Sequence, residues 1–318
     1  MKTILVTGGS GWLGSAVVRR LLARGDTVIS ADVGISPAMK ALAEQNPKLL
    51  NTIVDLGEWP QVMRALTEAR PDAIVHCAAI VGVVQCADIP LKAMRVNVEG
   101  MVNLLEAMRL TGIRRVVHVS TEETYGDFQS ARITEDHPQV PTSIYGLTKL
   151  AAEHYGRVYS RDHGLECINV RTCWVYGPNL PRPRMPKTYV DAALKGQPLH
   201  QQGGGDLAVD QVYIEDTVSG IVLALDKAEH RFDAYNVATG EAPTLSEVAG
   251  LVNEAVPGAD IRIEAGPYRH GDRILTAKKG ALDISRARQE LGYAPEYPIR
   301  RGIDLMIEEA RGASGASG

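Results

Sequence analysis

The feature that most constrains the fold is a regular alternation between short β-branched runs and longer segments of helical periodicity. The runs lie at 3–6, 27–31, 52–54, 73–76 and 116–119, and helix-like segments separate them. Repeated strand–helix units require a parallel sheet whose crossovers are right-handed. Aromatic residues make up only 5% of the chain, so Val, Leu, Ile and Ala must fill the core, as in buried parallel strands flanked by helices. We therefore predict an α/β fold with a doubly wound parallel sheet.

A glycine-rich segment follows the first predicted strand and opens the first predicted helix. It reads Thr-Gly-Gly-Ser-Gly-Trp-Leu-Gly at 7–14, and Gly8, Gly11 and Gly14 have the spacing of a dinucleotide-binding turn. Backbone amides at such a helix N-terminus can face a pyrophosphate without interference from Cβ atoms. Asp32 ends the second strand, where its carboxylate can accept hydrogen bonds from ribose hydroxyls and repel a 2′-phosphate. These features predict a Rossmann-type site for NAD rather than NADP, with a structural turn and a solvated aspartate as the simpler alternatives.

The rhythm of the sequence changes near residue 178. Three prolines fall between 181 and 186, and the predicted elements that follow are shorter and mixed in type. We predict an NAD-binding Rossmann domain at 1–178, to which later segments return, and a smaller mixed α/β substrate-binding domain at 179–311. The low-complexity stretch at 312–318 cannot bury apolar surface and is predicted to be a flexible tail.

Charge and cysteine content exclude several classes of function. Lys and Arg number 34 against 38 Asp and Glu, so no basic field indicates a nucleic-acid partner. The apolar run before Gly8 is too short for a signal peptide, and no later run approaches the length of a membrane span, so we expect a cytoplasmic protein without a membrane partner. The four cysteines form no C-x-x-C pair, which predicts neither disulfides nor a metal site.

Two further motifs indicate catalysis. Tyr145 and Lys149 lie four residues apart at the start of a predicted helix, so their side chains share one face. A nearby ammonium, together with the positive nicotinamide of NAD⁺, lowers the pKa of a phenol and makes it a general base. The segment Ser-Thr-Glu-Glu-Thr-Tyr-Gly at 120–126 ends the fifth strand, at the sheet edge where ligands bind. A Tyr-x-x-x-Lys pair alone also occurs on solvated helix faces, but the two motifs together favour an active site.

With these motifs in place, the chain resembles the extended short-chain dehydrogenase/reductase family, the NAD-dependent sugar epimerases and dehydratases. The matching segments span nearly the whole chain and include 7–14, His-Cys-Ala-Ala at 76–79, Asn-Val at 97–98, 120–126, 133–138, 141–149, Arg171, Val-Tyr-Gly-Pro at 175–178, 212–216, 269–272 and 291–295. The resemblance implies a Rossmann fold, an NAD cofactor and a small sugar-like substrate.

The resemblance also implies roles for individual residues. Tyr145 moves the proton of a substrate hydroxyl, Thr121 holds that hydroxyl, and Lys149 also binds the nicotinamide ribose. Glu123 matches a glutamate that the dehydratases and decarboxylases place beside the hydroxyl, and Glu122 stands where the dehydratases carry an aspartate; a solvated acidic pair is the alternative. The implied cofactor-binding residues are Gly8, Gly11, Trp12, Leu13, Gly14, Asp32, Asp55, Leu56, Cys77, Ala78, Ala79, Asn97, Tyr145, Lys149 and Cys173.

Two positions depart from the family pattern. Val209 replaces an Arg that binds the diphosphate of nucleotide sugars, and Trp174 replaces an Asn. Both changes weaken a nucleotide-sugar assignment. Arg182, Arg184 or Arg269 could instead hold a carboxylate or phosphate, since guanidinium pairs with oxyanions in a bidentate manner, and a solvated basic loop is the alternative. Glu123, Arg184 and Arg269 are therefore the predicted substrate residues.

Three functions remain open at this point. The motifs favour an epimerase or dehydratase that acts on a secondary alcohol of a sugar by hydride transfer and recycles its NAD. The missing Arg favours a net NAD-dependent dehydrogenase of a non-nucleotide sugar acid or other small hydroxy compound. A non-catalytic NAD-binding regulatory protein is disfavoured, because it would not need Thr121, Tyr145 and Lys149 together.

The segment at 90–110 predicts a subunit interface. Its apolar residues recur with 4-3-4-3 spacing at Met94, Val98, Met101, Leu105 and Met108. Other apolar residues widen the apolar surface beyond one stripe, and the family commonly dimerises through this helix and the Tyr-Lys helix. We expect a homodimer, with a stripe used wholly against the sheet as the alternative.

Overall fold

The architecture is that of a computed structural model, which describes residues 1–315. Its strands are β1 (Thr3–Thr7), β2 (Thr27–Asp32), β3 (Leu49–Ile53), β4 (Ala73–His76), β5 (Arg115–Thr121), β6 (Arg132–Ile133), β7 (Glu166–Thr172), β8 (Trp174–Tyr176), β9 (Leu199–Gln201), β10 (Gln211–Tyr213), β11 (Ala234–Val237), β12 (Ile261–Ile263), β13 (Arg269–His270), β14 (Ile274–Leu275) and β15 (Ala281–Leu282).

Helices separate most of these strands. They are α1 (Trp12–Ala23), α2 (Pro37–Gln45), α3 (Trp59–Ala69), α4 (Val83–Asp88), α5 (Pro90–Met94), α6 (Gly100–Thr111), α7 (Ile144–His163), α8 (Lys187–Leu194), α9 (Ile214–Asp226), α10 (Leu245–Ala255), α11 (Ser285–Leu291) and α12 (Ile299–Gly315), with a π-helical turn at Arg95–Glu99 and a 3₁₀ turn at Glu122–Thr124.

Seven parallel strands form the central sheet in the order β3-β2-β1-β4-β5-β7-β11. The predicted doubly wound Rossmann-type sheet is therefore confirmed. The order reverses between β1 and β4, and this switch point opens a crevice beyond the carboxyl ends of the strands. The glycine-rich turn after β1, Asp32 at the end of β2 and Thr121 at the end of β5 all lie at this edge.

Helices cover both faces of the sheet, and its strands are largely buried, with polar residues such as His118 and Arg171 among the apolar ones. Helices α1 and α9 pack on one face and α3 and α6 pack together on the other. Beyond residue 178 the chain is mainly helical, and most of its strands there are short and form two-stranded pairs, β9 with β12 and β13 with β14 among them. Strand β11 returns to the edge of the central sheet, beside β7. The division at residue 178 stays a prediction.

The predicted helix at 90–110 is interrupted. The π-helical turn at Arg95–Glu99 separates α5 from α6 and rotates the following residues around the helix axis. As a result Met94 is exposed, whereas Met101, Leu105 and Met108 are buried against the sheet. The prediction of one continuous apolar stripe is therefore wrong, and its second half packs within the subunit.

Helix α12 reaches into the stretch predicted to be a flexible tail. Residues 312–315 belong to this helix, and 316–318 lie outside the described residues. No helix within 1–315 is long and apolar enough to cross a membrane. Cys77, Cys86, Cys167 and Cys173 are free thiols.

Candidate active site

The turn between β1 and α1 can accept a dinucleotide only because glycine occupies its key positions. Gly8 has a φ of +69°, and a Cβ there would lie 2.7 Å from the backbone nitrogen of Ala78. A Cβ on Gly14 would lie 2.0 Å from the carbonyl oxygen of Gly8, so helix α1 could not begin so close to the turn. The result is a cradle of backbone amides at a helix N-terminus, which fits a pyrophosphate.

Asp32 borders this cradle. Its carboxylate accepts hydrogen bonds from the backbone amides of Ser10, at 3.0 Å, and Val33, at 2.8 Å. Burial raises the pKa of Asp32, while these amides oppose the shift. The side chain is thus fixed at the edge of the crevice, where it fits the free hydroxyls of an adenosine ribose.

The turn, Asp32 and the predicted catalytic residues line one cleft of about 650 Å³. This volume is in the range of sites for small molecules and cofactors. The predicted cofactor residues that line the cleft are Gly8, Gly11, Trp12, Leu13, Gly14, Asp32, Asp55, Cys77, Ala78, Ala79, Tyr145, Lys149 and Cys173. The arrangement fits NAD along the glycine-rich half.

Leu56 and Asn97, which the sequence also assigns to the cofactor, do not line the cleft. Leu56 packs in the core beneath Gly100. Asn97 lies in the π-helical turn and its amide bridges the backbone of Ile80, accepting from N–H at 2.7 Å and donating to C=O at 3.0 Å. It also donates to the hydroxyl of Thr148 at 3.0 Å. Asn97 therefore holds the loop that lines the cleft and does not itself face it.

Thr121 and Tyr145 come together at the sheet edge. Thr121 ends β5 and caps the 3₁₀ turn, its hydroxyl accepting from the amide of Glu123 at 3.3 Å. Tyr145 lies in the first turn of α7, which Ser143 caps by accepting from the amide of Gly146 at 3.0 Å. Burial raises the pKa of Tyr145 to about 12, and Arg182 is the leading cation that opposes the shift. That Lys149, together with the positive nicotinamide of NAD⁺, lowers the pKa of Tyr145 stays a prediction.

Lys149 points to a different partner. Its ammonium donates a hydrogen bond to Nε2 of His118 at 2.6 Å, and Nδ1 of that ring donates to Asn169 at 2.9 Å. Burial, with the Lys149 charge, holds the pKa of His118 well below its ordinary value, so the ring is neutral and Nε2 can accept. Burial lowers the pKa of Lys149 to about 8. A chain of buried polar groups thus fixes the position of the ammonium at the cleft.

Two adjacent glutamates, Glu122 and Glu123, also line the cleft. Glu123 pairs with Lys279 at 2.9 Å and accepts from the hydroxyl of Ser143 at 3.3 Å. Although burial raises the pKa of Glu123, the Lys279 charge overcomes it and the net shift is downward. Glu122 is 3.6 Å from Lys279, its oxygens accept no hydrogen bond within residues 1–315, and burial raises its pKa to about 7. The pair is therefore not the solvated acidic surface that was the simpler alternative.

Of the two predicted substrate arginines, one lies in the cleft and the other does not. Arg184 lines the cleft and stacks over Trp174, with 4.6 Å from the guanidinium carbon to the ring centroid. Arg182 lines the cleft beside it. Arg269 is exposed on β13 and does not line the cleft, which counts against its predicted substrate role. Val209 is buried in the core, so nothing charged stands at that position.

Sequence reasoning missed His118 and Lys279. A histidine inside the apolar run of β5 is a signal in itself, because buried polar side chains need partners. Lys279 gives no such signal, since it follows another lysine in a polar stretch and reaches Glu123 only through the fold.

The sheet, the glycine cradle and the cleft define an α/β protein that binds a dinucleotide. Residues 4–238 match the sequence model described as the NAD dependent epimerase/dehydratase family, and the chain belongs to that family. The predicted family, enzyme class and NAD cofactor are confirmed: the chain is an NAD-dependent oxidoreductase of the epimerase/dehydratase type that works by hydride transfer.

Three relatives illustrate this membership. A UDP-glucose 4-epimerase of Mycolicibacterium smegmatis is 33% identical, over 99% of this chain and 100% of the relative. The crystal structure of Thermus thermophilus UDP-glucose 4-epimerase in complex with NAD is 33% identical, with a TM-score of 0.84 over 98% of this chain and 99% of that one. The dTDP-glucose 4,6-dehydratase DesIV of Streptomyces venezuelae, with NAD and TYD bound, is 32% identical, with a TM-score of 0.86 over 99% and 98%.

Proposed function

We propose that the chain is a dehydratase that acts on a small sugar-like substrate and regenerates its NAD in each turnover. The observation that carries this proposal is the pair Glu122 and Glu123, whose environments drive their pKa values in opposite directions within the catalytic cleft. Two carboxyl groups with separated pKa values supply one proton donor and one proton acceptor at the same pH. A dehydration needs both.

Thr121, Tyr145 and Lys149 serve the oxidation of a secondary alcohol. The Thr121 hydroxyl orients the substrate hydroxyl, and the Tyr145 oxygen exchanges its proton. NAD⁺, when bound, supplies the hydride acceptor and an added positive charge. The Lys149 ammonium, held by His118, contributes a fixed positive charge at the base of the site. Because burial keeps the Tyr145 phenol protonated in the protein alone, it becomes a base only in the loaded cleft.

Glu123 and Glu122 serve the elimination. Oxidation acidifies the C–H beside the new ketone, and the ionised Glu123 is the group that can accept this proton. Glu122, with its pKa near neutrality, can donate a proton to the hydroxyl that leaves from the next carbon as water. Return of the hydride then completes a turnover with no net change in NAD.

Epimerisation is the second candidate, because a relative of 33% identity is an epimerase. It needs Thr121 and Tyr145 but neither glutamate. Net oxidation is the third outcome and would release NADH.

The test follows the product and the NADH absorbance of NAD-loaded protein with a panel of sugars and sugar derivatives. Tyr145→Phe should lower turnover by about 10²- to 10⁴-fold in every case, while NAD binding persists. Glu123→Gln should stop loss of water and leave a standing NADH signal from the oxidised half-reaction. Full activity of Glu123→Gln would reject dehydration and leave epimerisation, and net NADH release by the unmodified protein would establish a dehydrogenase.

We further propose a cytoplasmic homodimer. The free thiols suit a reducing compartment. Helix α7 exposes an apolar stripe at Leu147, Tyr155 and Val158, and α5, which packs on α7, exposes Leu91 and Met94. A contiguous exposed apolar face of this kind supports association with a second copy of the chain.

A further inference from the structure

Two cations of the cleft lie side by side on one segment of the chain. Arg182 and Arg184 stand on the proline-rich segment after β8 and line the cleft together with Tyr145. Within residues 1–315 neither guanidinium forms an ion pair with a carboxylate, whereas neighbouring Lys279 pairs with Glu123. Two unpaired guanidiniums side by side repel each other, so their placement favours a ligand that carries negative charge.

Arg184 is held in a fixed orientation. Its guanidinium lies over the ring of Trp174, which is buried and packs against Tyr268 and His270 at ring-centroid distances of 5.8 and 5.9 Å. A guanidinium that stacks by its face keeps the N–H groups of its edge available for a planar oxyanion. The aromatic ring therefore orients the guanidinium, whose charge opposes the effect of burial on the pKa of Glu122 and Glu123 without forming a salt bridge to either within residues 1–315.

Arg182 carries an unsatisfied donor. Its Nη1 donates a long bond, 3.4 Å, to the carbonyl of Val81, and its buried Nε has no hydrogen-bond partner among residues 1–315. Buried donors are almost always satisfied, so an orphaned one in a cleft marks the place of a ligand atom. Burial, with the charge of Arg184, lowers the pKa of Arg182 to about 10, the direction that a bound anion would reverse.

The two arginines also lie near the reacting group. Both charges act on the phenol of Tyr145, Arg182 more strongly than Arg184. An anion bound by them therefore shares the cleft with Tyr145, so it can belong to the substrate on which Tyr145 acts.

We propose that Arg182 and Arg184 bind a compact anionic group, a carboxylate or a phosphate monoester, carried by the substrate sugar. This inference rests on the proposed function for the identity of the cleft, and it deepens that function by naming the substrate class as an acidic sugar. The anion supplies the missing acceptor of the Arg182 Nε and the missing counter-charge of Arg184.

The test measures binding to the NAD-loaded protein by calorimetry, apart from any turnover. The probes are glucose, glucuronate, glucose 6-phosphate and UDP, which separate the uncharged sugar, the carboxylate, the phosphate monoester and the nucleotide diphosphate. The variants are Arg182→Gln and Arg184→Gln, which remove charge, and Arg184→Lys, which keeps charge but loses the flat stacked edge. Arg262→Gln, an exposed arginine outside the cleft, is the matched control.

We expect glucuronate or glucose 6-phosphate to bind more tightly than glucose, and the one that binds identifies the anion. Arg182→Gln and Arg184→Gln should each weaken that binding by about 10- to 100-fold, the range for a lost charged hydrogen bond. Arg184→Lys should recover part of the loss, and Arg262→Gln should change nothing.

Equal binding of the four probes, no binding of either acidic sugar, or binding to UDP alone that both glutamine variants leave intact would overturn the anion site. An acidic sugar that binds through these arginines but is not turned over would leave the anion site standing and overturn the proposed function instead. Dehydration of an uncharged sugar at a rate that neither glutamine variant changes would support the proposed function and overturn the anion site.

Discussion

At the scale of single residues, the site depends on the unequal distances from one buried lysine to two neighbouring glutamates. Lys279 is 2.9 Å from Glu123 but 3.6 Å from Glu122, and only Glu123 gains a further donor, Ser143. Both carboxyl groups are desolvated, and the difference in partners decides that one shifts down and the other up. Similar side chains one residue apart thus acquire opposite proton affinities from the fold.

Glu122 makes stability depend on pH. Its pKa is about 7 in the folded protein against an ordinary 4.5, so between these values the unfolded chain releases the proton first and stability falls as pH rises. Glu122→Gln removes this penalty. We expect the variant to be more stable than the unmodified protein by about 1 to 3 kcal/mol near pH 8, and the difference to vanish near pH 4.

Urea denaturation at both pH values measures this difference. Glu68→Gln, on the exposed face of α3, removes the same formal charge and should give no such pH dependence. A Glu122→Gln stability gain that is equal at the two pH values would contradict the raised pKa.

His118 is expected to set the charge of Lys149. In His118→Leu the buried ammonium loses its acceptor, so the pKa of Lys149 should fall below its value of about 8. The basic limb of the turnover–pH profile should move to lower pH, with turnover reduced about 10-fold at neutral pH. His118→Gln, which can still accept through its amide oxygen, should restore most of both. A loss of stability without movement of the pH limb would show that His118 only packs.

At the scale of elements, the strands could be predicted because each βα unit carries its signal locally. The strands are indicated by β-branched runs, and the dinucleotide turn by Gly8 and Asp32, without any information about the rest of the fold. The π-helical turn at Arg95–Glu99 could not be predicted, since a regular 4-3-4-3 spacing conceals one residue added to a turn.

The candidate site likewise contains residues that local motifs indicate and contacts that they do not. Thr121, Tyr145 and Lys149 sit in short motifs and were predicted, and the structure brings Thr121 and Tyr145 together in one cleft with Lys149 at its base. Lys149 and His118 are 31 positions apart, and Glu123 and Lys279 are 156 positions apart. No local sequence pattern indicates either contact. Pairings between distant segments depend on the fold and fall outside what motif spacing can indicate.

The π-helical turn has a function that can be tested through Asn97. Asn97→Ala removes the amide that bridges Ile80, so the Ile80 N–H loses its acceptor and the Ile80 carbonyl keeps only the thiol of Cys86, which should destabilise the protein by about 1 to 3 kcal/mol. Because that loop lines the cleft, NAD affinity should fall as well. Calorimetry with NAD and urea denaturation give the two quantities.

Asn253→Ala is the matched control, because the Asn253 amide makes the same two bonds to the backbone of Ile261 away from the cleft. It should lower stability and leave NAD affinity unchanged. Equal NAD affinity in both variants would show that the loop does not depend on Asn97.

At the scale of the whole molecule, the cleft is assembled from both halves of the chain. The glycine cradle, Asp32, Thr121 and Tyr145 come from the sheet edge, while the arginine pair comes from the segment beyond residue 178. The half that fits NAD uses local motifs common to the family, whereas the arginine pair lies outside those motifs. Chemistry and substrate choice are therefore separable by mutation.

The exposed apolar face of α5 and α7 gives the last prediction. Leu91 is 83% exposed and Val158 is 41% exposed, on helices that pack against each other. A charge in the centre of an apolar interface is left desolvated and unpaired, so Leu91→Asp with Val158→Asp should convert a dimer into a monomer while the sheet and the cleft remain folded. Light scattering coupled to gel filtration measures the mass. Leu50→Asp, at a 56% exposed position of edge strand β3, is the matched control and should stay dimeric. If the unmodified chain runs at the mass of a single copy, or if Leu50→Asp dissociates it and the double variant does not, this face is not the subunit interface.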